Sequence, residues 1–559
     1  MFDSRFASQC HEWIHKTYAP SRFNLPAEPS ISVVQEIRAR LGMEHELRVM
    51  ASLRQQYGER FLELAGDDRQ SETLDALKRT DILLIAGAEF GNQTELAVGR
   101  ATTDRIGRPD LLLRMSDGWA PIDIKSHGSL NKSSKKHCWM VDLASVSDAA
   151  FNEDAKTPGR LKESDALQLA HYWAQLQELQ LGSSSWLVGI IGRDGAQIVM
   201  QRIDATAYGN GHESALSLYK YGIAEALGIH ELAKARELDP ALPAPTTPRL
   251  DADCGQCEFR TSCLAEMKAW PGGGHPTLIP GLTPSMWRDD YAHLQAISDV
   301  AALVESQDLK ERSLGIKARA WLDDRVYSLT PGETIEIPTF DIEIDVDLEN
   351  SQAALFGEDA TDDPMSDVVF QYGWVRNDRT VDVDWRDAET GVFENFANSL
   401  DAEYEVMSQM WAWCQKQVAD AQAAGKSIGF FHYSPHEIGW WRKFVDRHAS
   451  KPGVPTLEEC EEFLDAYWHD LRKTTIKFAF HAKSYSIKDI GPLSGFKYEV
   501  EDPGGDMATV KFLAAVDSSN PAEQKDAQDW LTTYNRGDVQ TTMWIRNWLR
   551  GIVALGELT

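Results

Sequence analysis

Gly107-Arg-Pro-Asp110-Leu-Leu-Leu-Arg114, Met115-Ser-Asp-Gly118 and Ala120-Pro-Ile-Asp123-Ile-Lys125 follow one another as two apolar runs around a polar turn, and read as a β-hairpin. Side chains alternate along a strand, so Ile122 and Ile124 face one side and Asp123 and Lys125 the other. Asp110, near the start of the first strand, comes beside that pair. Two carboxylates and one ammonium converge on one spot.

This combination suits phosphodiester hydrolysis. Carboxylates hold Mg²⁺ or Mn²⁺, the ion acidifies a water and neutralises charge at phosphorus, and a lysine positions or deprotonates that water. An isolated Asp-x-Lys equally decorates the solvent face of a hairpin; Pro109-Asp110 at hairpin distance tips the reading towards a metal site. Downstream, Ala166-Leu-Gln168-Leu-Ala-His-Tyr172 is helical, with Gln168 and Tyr172 four apart on one face. Upstream, Leu41-Gly-Met-Glu-His45-Glu46-Leu offers a further ligand on a helix.

Together these motifs resemble the PD-(D/E)xK superfamily, and specifically the RecB-type nucleases. The resemblance implies Asp110 and Asp123 as metal ligands, Lys125 as the catalytic lysine, and Gln168 with Tyr172 as the family's QxxxY motif near DNA. The chain departs from the family in carrying Asp123 where Glu is common, and in placing His45 one residue before the usual histidine position. Glu46 occupies that position and is the favoured ligand, with His45 in reserve.

Around this core the chain alternates helical stretches with apolar runs such as Ile82-Leu-Leu-Ile85 and Trp186-Leu-Val-Gly-Ile-Ile191, an α/β pattern. A proline-rich stretch from Leu238 to Leu250 then delivers the chain, extended, to Cys254-Gly-Gln-Cys257-Glu-Phe-Arg-Thr-Ser-Cys263. Three thiols within ten residues suit zinc or an iron-sulfur cluster, and Cys10 is the natural fourth ligand. One early cysteine followed by C-x2-C-x5-C resembles the iron-sulfur staple of AddB and of the CRISPR-adaptation exonucleases related to RecB. That resemblance implies a structural [4Fe-4S] cluster on Cys10, Cys254, Cys257 and Cys263, with Zn²⁺ as the alternative. Cys138, Cys414 and Cys460 read as buried free thiols.

Further on, Ile337-Pro-Thr-Phe-Asp341-Ile-Glu343-Ile-Asp345-Val reads as a strand with Asp341, Glu343 and Asp345 on one face. Such a row needs solvent or cations, so a metal site and a plain exposed edge stand level on this segment alone. Near the end, Tyr534-Asn-Arg-Gly-Asp538 places Tyr534 and Asp538 on one helix face. The D-x-E strand followed far downstream by Y-x3-D resembles the DnaQ-like, DEDD-type exonucleases of the ribonuclease H fold. It implies metal on Asp341, Glu343 and Asp538, a water-orienting Tyr534, and a fourth acid at Glu437, where the family commonly has aspartate. Asp470 is the other candidate, although a structural acid is the simpler reading. The combination resembles bacterial two-domain RecB-type nucleases.

The expected organisation is a restriction-endonuclease-like (PD-(D/E)xK) domain over 1–268, a helical linker over 269–325 with Pro280-Gly281 as a helix-hairpin-helix-like turn, and a ribonuclease H-like domain over 326–559. Pro271-Gly-Gly-Gly-His275 reads as the start of that linker. With 559 residues and 43% hydrophobic content the chain can bury several cores. Seven cysteines without an apolar leader do not suggest a disulfide framework, and the expected location is cytoplasmic, with no membrane partner. A net charge of −30 argues against broad adhesion to nucleic acid. Metal-held carboxylates and local basic stretches such as Lys132-Ser-Ser-Lys-Lys-His137, read as a solvated loop, remain available. Ala424-Gly-Lys-Ser427 lacks the first glycine of a phosphate loop and reads as a helix end, so a helicase motor would be a separate protein. The expectation is a DNA exonuclease preferring single-stranded ends, in repair, recombination or defence. The competing reading is a nucleic-acid-binding scaffold with one or both centres inactive.

Overall fold

The computed structural model describes residues 2–555 other than 24–32, 96–101, 129, 144–150, 152–154, 194, 205–207, 209–213, 251–253, 255–256, 331, 333–334, 352–366, 501–504 and 518. The protein is mixed α/β and divides into two compact units, the main break falling between Thr247 and Pro248. No helix among the described residues is long and apolar enough to cross a membrane.

The first unit contains helices α1 (His11–Tyr18), α2 (Val33–Tyr57), α3 (Arg69–Leu77), α4 (Glu163–Glu178) and α5 (Ala215–Leu238). Its strands are β1 (Phe61–Glu63), β2 (Leu84–Ala86), β3 (Phe90–Glu95), β4 (Thr102–Gly107), β5 (Leu111–Met115), β6 (Gly118–Ile124), β7 (Leu130–Asp142), β8 (Thr157–Leu161), β9 (Leu187–Ile191) and β10 (Gln197–Arg202). Eight strands form one mixed sheet in the order β1-β2-β5-β6-β9-β10-β7-β8, and β3 with β4 makes a separate ribbon. The hairpin β5–β6 is antiparallel, with Leu111 opposite Ile122, and β6 runs parallel to β9.

Burial on both faces explains the unbroken Leu111-Leu-Leu113: Leu111 and Leu113 pack with Val49, Met50 and Leu53 of α2, and Leu112 packs with the core formed by α4 and α5. Ile122 and Ile124 join the α2 side, which leaves Asp123 on the other. The basic stretch, which the sequence also allowed as a solvated loop, lies within β7, where its flanks pair with β8 at Leu130–Asn131 and at Lys136 and Cys138 with a register shift between them, and β10 pairs from Cys138 onward. The proline-rich segment after α5 is tied to α1, where the Thr246 hydroxyl donates to Glu12 and sits 2.7 Å from His15 Nδ1.

The second unit adds α6 (Arg260–Lys268), α7 (Pro284–Asp290), α8 (Ile297–Ala301), α9 (Leu309–Asp323), α10 (Leu400–Ala423), α11 (His436–His448), α12 (Leu457–Tyr467), α13 (Leu471–Thr475), α14 (Ile487–Ile490), α15 (Gly505–Val516) and α16 (Pro521–Leu555). Its strands are β11 (Tyr327–Ser328), β12 (Ile342–Asn350), β13 (Val369–Asp378), β14 (Glu389–Glu394), β15 (Ile428–His432), β16 (Trp468–Asp470) and β17 (Phe478–Ala479). Five strands form a sheet ordered β14-β13-β12-β15-β16, in which β12, β15 and β16 are parallel and β13 is antiparallel to both its neighbours. Ile342, Ile344, Val346 and Leu348 pack into a core with α10, α11 and α12, and α16 crosses the opposite face of β12.

Three expectations about the middle of the chain differ from the structure. Cys254, Cys263 and Met267 share a core with Leu278, Ile297, Leu314 and Trp321, so the cysteine segment belongs with the helices that follow it, and a boundary at 268 would cut that core. Pro271–His275 is accordingly a packed turn: Trp321 Nε1 donates to the Gly273 carbonyl at 3.1 Å and the Ile297 amide to that of Gly274 at 3.0 Å. Gly272, Gly273 and Gly274 all adopt positive φ, which explains three glycines in a row. Pro280-Gly281 follows a single 3₁₀ turn, Pro276–Leu278, and so is not flanked by two α-helices.

Candidate functional site

In the first unit the hairpin sets Asp110 and Asp123 against each other. The Asp110 amide donates to Asp123 Oδ1 at 3.4 Å, and the Ile124 amide to Asp110 Oδ2 at 2.7 Å. Asp123 is 1% exposed, and its Oδ2 lies 3.1 Å from the Lys125 ammonium. Lys125 donates to Gln168 Oε1 at 2.9 Å, Gln168 Nε2 donates to Tyr172 OH at 2.9 Å, and Tyr172 OH donates to Ser4 Oγ at 3.1 Å. The five side chains therefore form one connected line from β5 and β6 to α4.

Electrostatics ties Glu46 to the same place. Burial, then the Asp123 charge, raises the Asp110 carboxyl well above its ordinary range, with Glu46 adding to the effect. Burial and Asp123 likewise raise Glu46. Burial also raises Asp123, against the lowering pull of Lys125. For Lys125 burial disfavours the ammonium, but Asp123, Asp110 and Asp165 outweigh it and raise the group. Three half-buried or buried acids that repel one another form a site short of positive charge, a donor set that could hold a divalent ion. His45 Nε2 lies 3.2 Å from the Gly192 carbonyl, while the Glu46 carboxylate interacts with Asp123, Asp110 and Lys125.

Sequence reasoning missed Asp165. It is 5% exposed, has an Oδ2 without a hydrogen-bond partner, and lies 3.6 Å from His127 Nε2. Its position three residues before Gln168, on the same face of α4, was the available signal.

In the second unit the expected ligands Asp341 and Glu343 are held by other groups. Glu343 is fully buried and paired with Arg379, Arg546 and Arg550, and Asp345 is held by Arg546 through two hydrogen bonds of 3.0 and 2.6 Å. Asp341 closes the turn after α10, accepting from the amide and hydroxyl of Ser427 at 2.8 Å each, contacts that hold it below the usual carboxylate range. The helix-end reading of Ala424–Ser427 agrees with this turn, in which Lys426 pairs with Asp378 at 2.8 Å.

The carboxylates that come together lie one step further along the same strand face. Asp347, Glu349 and Asp538 each present an oxygen within 4.8 Å of the others. Strand alternation puts Asp341, Glu343, Asp345, Asp347 and Glu349 on one side, and along α16 Asp538 joins Asp347 and Glu349 while Arg546 and Arg550 pair with Glu343. Because the two elements cross antiparallel, the arginines meet the start of the row and Asp538 meets its end. That end is the carboxyl edge of the parallel strands, where open α/β sheets bind ligands. Glu437, just beyond β15, stands at the same edge: it is 3% exposed, 3.3 Å from His432 Nδ1, accepts from Ser434 Oγ at 3.2 Å, and its charge raises both Asp347 and Glu349. Asp470 instead caps α13, accepting from the Arg472 and Lys473 amides.

Burial, then the Asp538 charge, raises Asp347 well above its ordinary range and Glu349 to about 8. Asn535 Nδ2 donates to Asp347 Oδ2 at 3.1 Å. Tyr534 is 4% exposed and stacks on Trp530 at 5.1 Å. Lys488 and Tyr498, which sequence reasoning also missed, both bind Asp538 Oδ1.

A pH prediction follows for Glu349. An unfolded glutamate titrates near about 4.3. Between there and about 8 the folded, metal-free protein holds a proton that the unfolded chain has released, so this contribution to stability is complete below about 4.3 and lost as pH rises towards 8. Glu349→Gln should therefore raise the metal-free Tm by a few degrees at pH 8 and leave it nearly unchanged at pH 4.5. Thermal unfolding in chelator at both pH values checks this; a Tm difference independent of pH would contradict it.

The thiols are divided between the units. Cys10 immediately precedes α1 in the first; Cys254 and Cys263 are buried and Cys257 half-buried in the second, with the Cys257 amide donating to the Cys254 carbonyl at 3.3 Å. No disulfide joins any of the seven cysteines. Cys138, Cys414 and Cys460 are buried; burial pushes Cys138 up to about 12 and Cys460 up to about 11, so both are inert thiols.

Comparison with protein-family models, with curated proteins and with solved structures finds no match for this chain.

Proposed function

We propose that this protein is a metal-dependent nuclease with two hydrolytic centres, acting on DNA and preferring single-stranded ends. The observation that carries the reading is the connected line Asp110–Asp123–Lys125–Gln168–Tyr172, in which repelling carboxylates, a charged lysine and a helix-borne amide meet at one end of a hairpin. The run α2, β2, β5, β6, α4, β9 that presents them supports a RecB-like PD-(D/E)xK domain. In the second unit a five-stranded sheet ordered third, second, first, fourth, fifth, with the second strand antiparallel, supports a ribonuclease H-like domain.

Asp110, Asp123 and Glu46 would hold Mg²⁺ or Mn²⁺ in the first centre, and Asp347, Glu349 and Asp538, with Glu437 close by, in the second. The ion, when bound, acidifies water and neutralises charge on the phosphate. Lys125, kept charged by its acids and aimed by Gln168, offers a fixed cation to the scissile phosphate. Tyr172 fixes Gln168, and the Ser4 hydroxyl fixes Tyr172. In the second centre Asn535 orients Asp347 and Tyr534 walls the site. Cys254, Cys257 and Cys263, within the second unit, offer thiolates suited to a structural [4Fe-4S] cluster, or to zinc.

The test is a time course on end-labelled single-stranded DNA, with RNA in parallel. Degradation of the DNA with Mn²⁺ or Mg²⁺, abolished by a chelator and restored by metal, is expected. Intact DNA and RNA with metal present would favour a nucleic-acid-binding scaffold instead.

A further inference from the structure

The acids of the first centre sit at the foot of a basic ribbon. β6 ends at Ile124, Lys125 follows, and β7 begins at Leu130. Leu130 pairs with Leu161 and Asn131 with Arg160 of β8, after which the chain turns directly into α4, the helix of Asp165, Gln168 and Tyr172. In the connection from β6 to β7, His127 Nε2 lies 3.6 Å from Asp165. The near end of the β7–β8 ribbon is therefore tied to the first centre through both strands. The register then slips. Asn131 faces Arg160 and Lys136 faces Gly159, so the four residues 132–135 are extra on β7. Such bulges bend a strand and re-aim its side chains. Lys135 and Lys136 are exposed and make no ion pair among the described residues. The Ser133 hydroxyl accepts from the Lys135 amide at 3.2 Å, which leaves its own hydrogen to donate elsewhere, and Ser134 is exposed beside it. Burial, then the charges of Lys135, Arg160 and Lys156, holds His137 below its ordinary range, so these three cations share one neighbourhood. They gather there in a chain of net charge −30.

We propose that the bulge on β7, through Lys135 and Lys136 with the Ser133 and Ser134 hydroxyls, grips the phosphate backbone of the DNA strand that enters the first centre. The inference rests on reading that centre as a nuclease. Gly159, opposite Lys136, is two residues from Leu161 along β8, about 7 Å at roughly 3.3 Å per residue. The lysines thus meet the strand close to the bond to be cut. Contacts to phosphate fix the position of a strand and carry no sequence information, as a nuclease acting on any end requires. They also offset, at one place, the repulsion that a strongly acidic protein offers to a polyanion.

The experiment measures initial cleavage rates on end-labelled single-stranded DNA with Mn²⁺, using the full-length Asp347→Ala chain as parent so that the first centre acts alone. Rates are taken at about 50 and about 200 mM salt. Adding Lys135→Ala/Lys136→Ala should raise KM about tenfold at the lower salt and keep kcat within about twofold. It should also reduce the slope of log KM against log salt by about 1.4, at ~0.7 per phosphate contact on a single strand. Lys135→Arg/Lys136→Arg, which keeps both charges, should match the parent. Lys220→Ala/Lys234→Ala, which removes two exposed charges from α5, should match it as well. If Lys135→Ala/Lys136→Ala keeps the KM and salt slope of a parent that cleaves, the inference is overturned and the nuclease reading stands. If the α5 pair raises KM as much, the effect belongs to net charge and the inference is likewise overturned. A fall in kcat with KM unchanged would assign the lysines to the chemistry and also overturn it. If the parent leaves DNA intact with Mn²⁺ present, the first centre is no nuclease and the inference falls with it.

Discussion

Asp123→Asn is expected to abolish cleavage by the first centre, by about a thousandfold or more, while making the metal-free protein more stable. Both halves follow from the same burial. The side chain is 1% exposed and shares its space with Asp110 and Glu46, and its carboxyl is raised despite the nearby Lys125. The folded protein therefore disfavours the charge that the proposed chemistry needs. An amide of the same shape relieves that repulsion and keeps the packing, but it cannot help hold a divalent ion. Losing a contribution of roughly 4 kcal/mol to transition-state stabilisation corresponds to about three decades in rate. Cleavage rates with Mn²⁺ and thermal unfolding in chelator measure the two effects. A variant that is destabilised in chelator would mean that Asp123 serves the fold through its ion pair with Lys125.

The second large effect concerns stability alone. Arg546 is fully buried between Glu343 and Asp345, 4.6 Å from the centre of the Phe431 ring, and its guanidinium opposes the burial that raises both carboxyls, with Arg550 sharing that work at Glu343. Arg546→Met leaves Asp345 without its cation and Glu343 with a reduced set. Breaking a buried pair from one side costs about 3–5 kcal/mol, because a charge is left uncompensated. At about 2–4 °C per kcal/mol, this lowers Tm by roughly 10 °C. Replacing the partner too, in Arg546→Met/Asp345→Leu, should recover much of the loss, since an apolar pair of similar volume avoids the desolvation. Urea unfolding followed by tryptophan fluorescence reads both variants. Equal stabilities for the single variant and wild type would show that the cluster is solvated and not structural.

The first centre was legible because its decisive contacts are local. A hairpin brings Asp110 to Asp123 across one turn, and helix periodicity ties Gln168 to Tyr172, so only the docking of α4 on β6 had to come from the fold. In the second unit the expected acids and the ones that cluster differ by one step, for a definite reason. Five acids alternate from Asp341 to Glu349, and nothing in that stretch says which are neutralised. The answer lies about two hundred residues away, in Arg546 and Arg550, and in the direction in which α16 crosses β12. The expected strand also began too early, at Ile337, whereas β12 starts at Ile342 and runs on to Asn350. Lys488 reaches the acids from a four-residue helix with no motif of its own, and could not be found from spacing. The boundary at 268 failed because the cysteine segment shares its core with later helices, a contact that local composition does not encode.

The most direct measurement of the central claim is the product pattern from end-labelled single-stranded DNA with Mn²⁺, compared for wild type, Asp123→Ala, Asp347→Ala and the double variant. Two hydrolytic centres predict that each single change removes a distinct part of the cleavage and that the double variant is inert. A double variant that cleaves as wild type does would contradict the account at both centres.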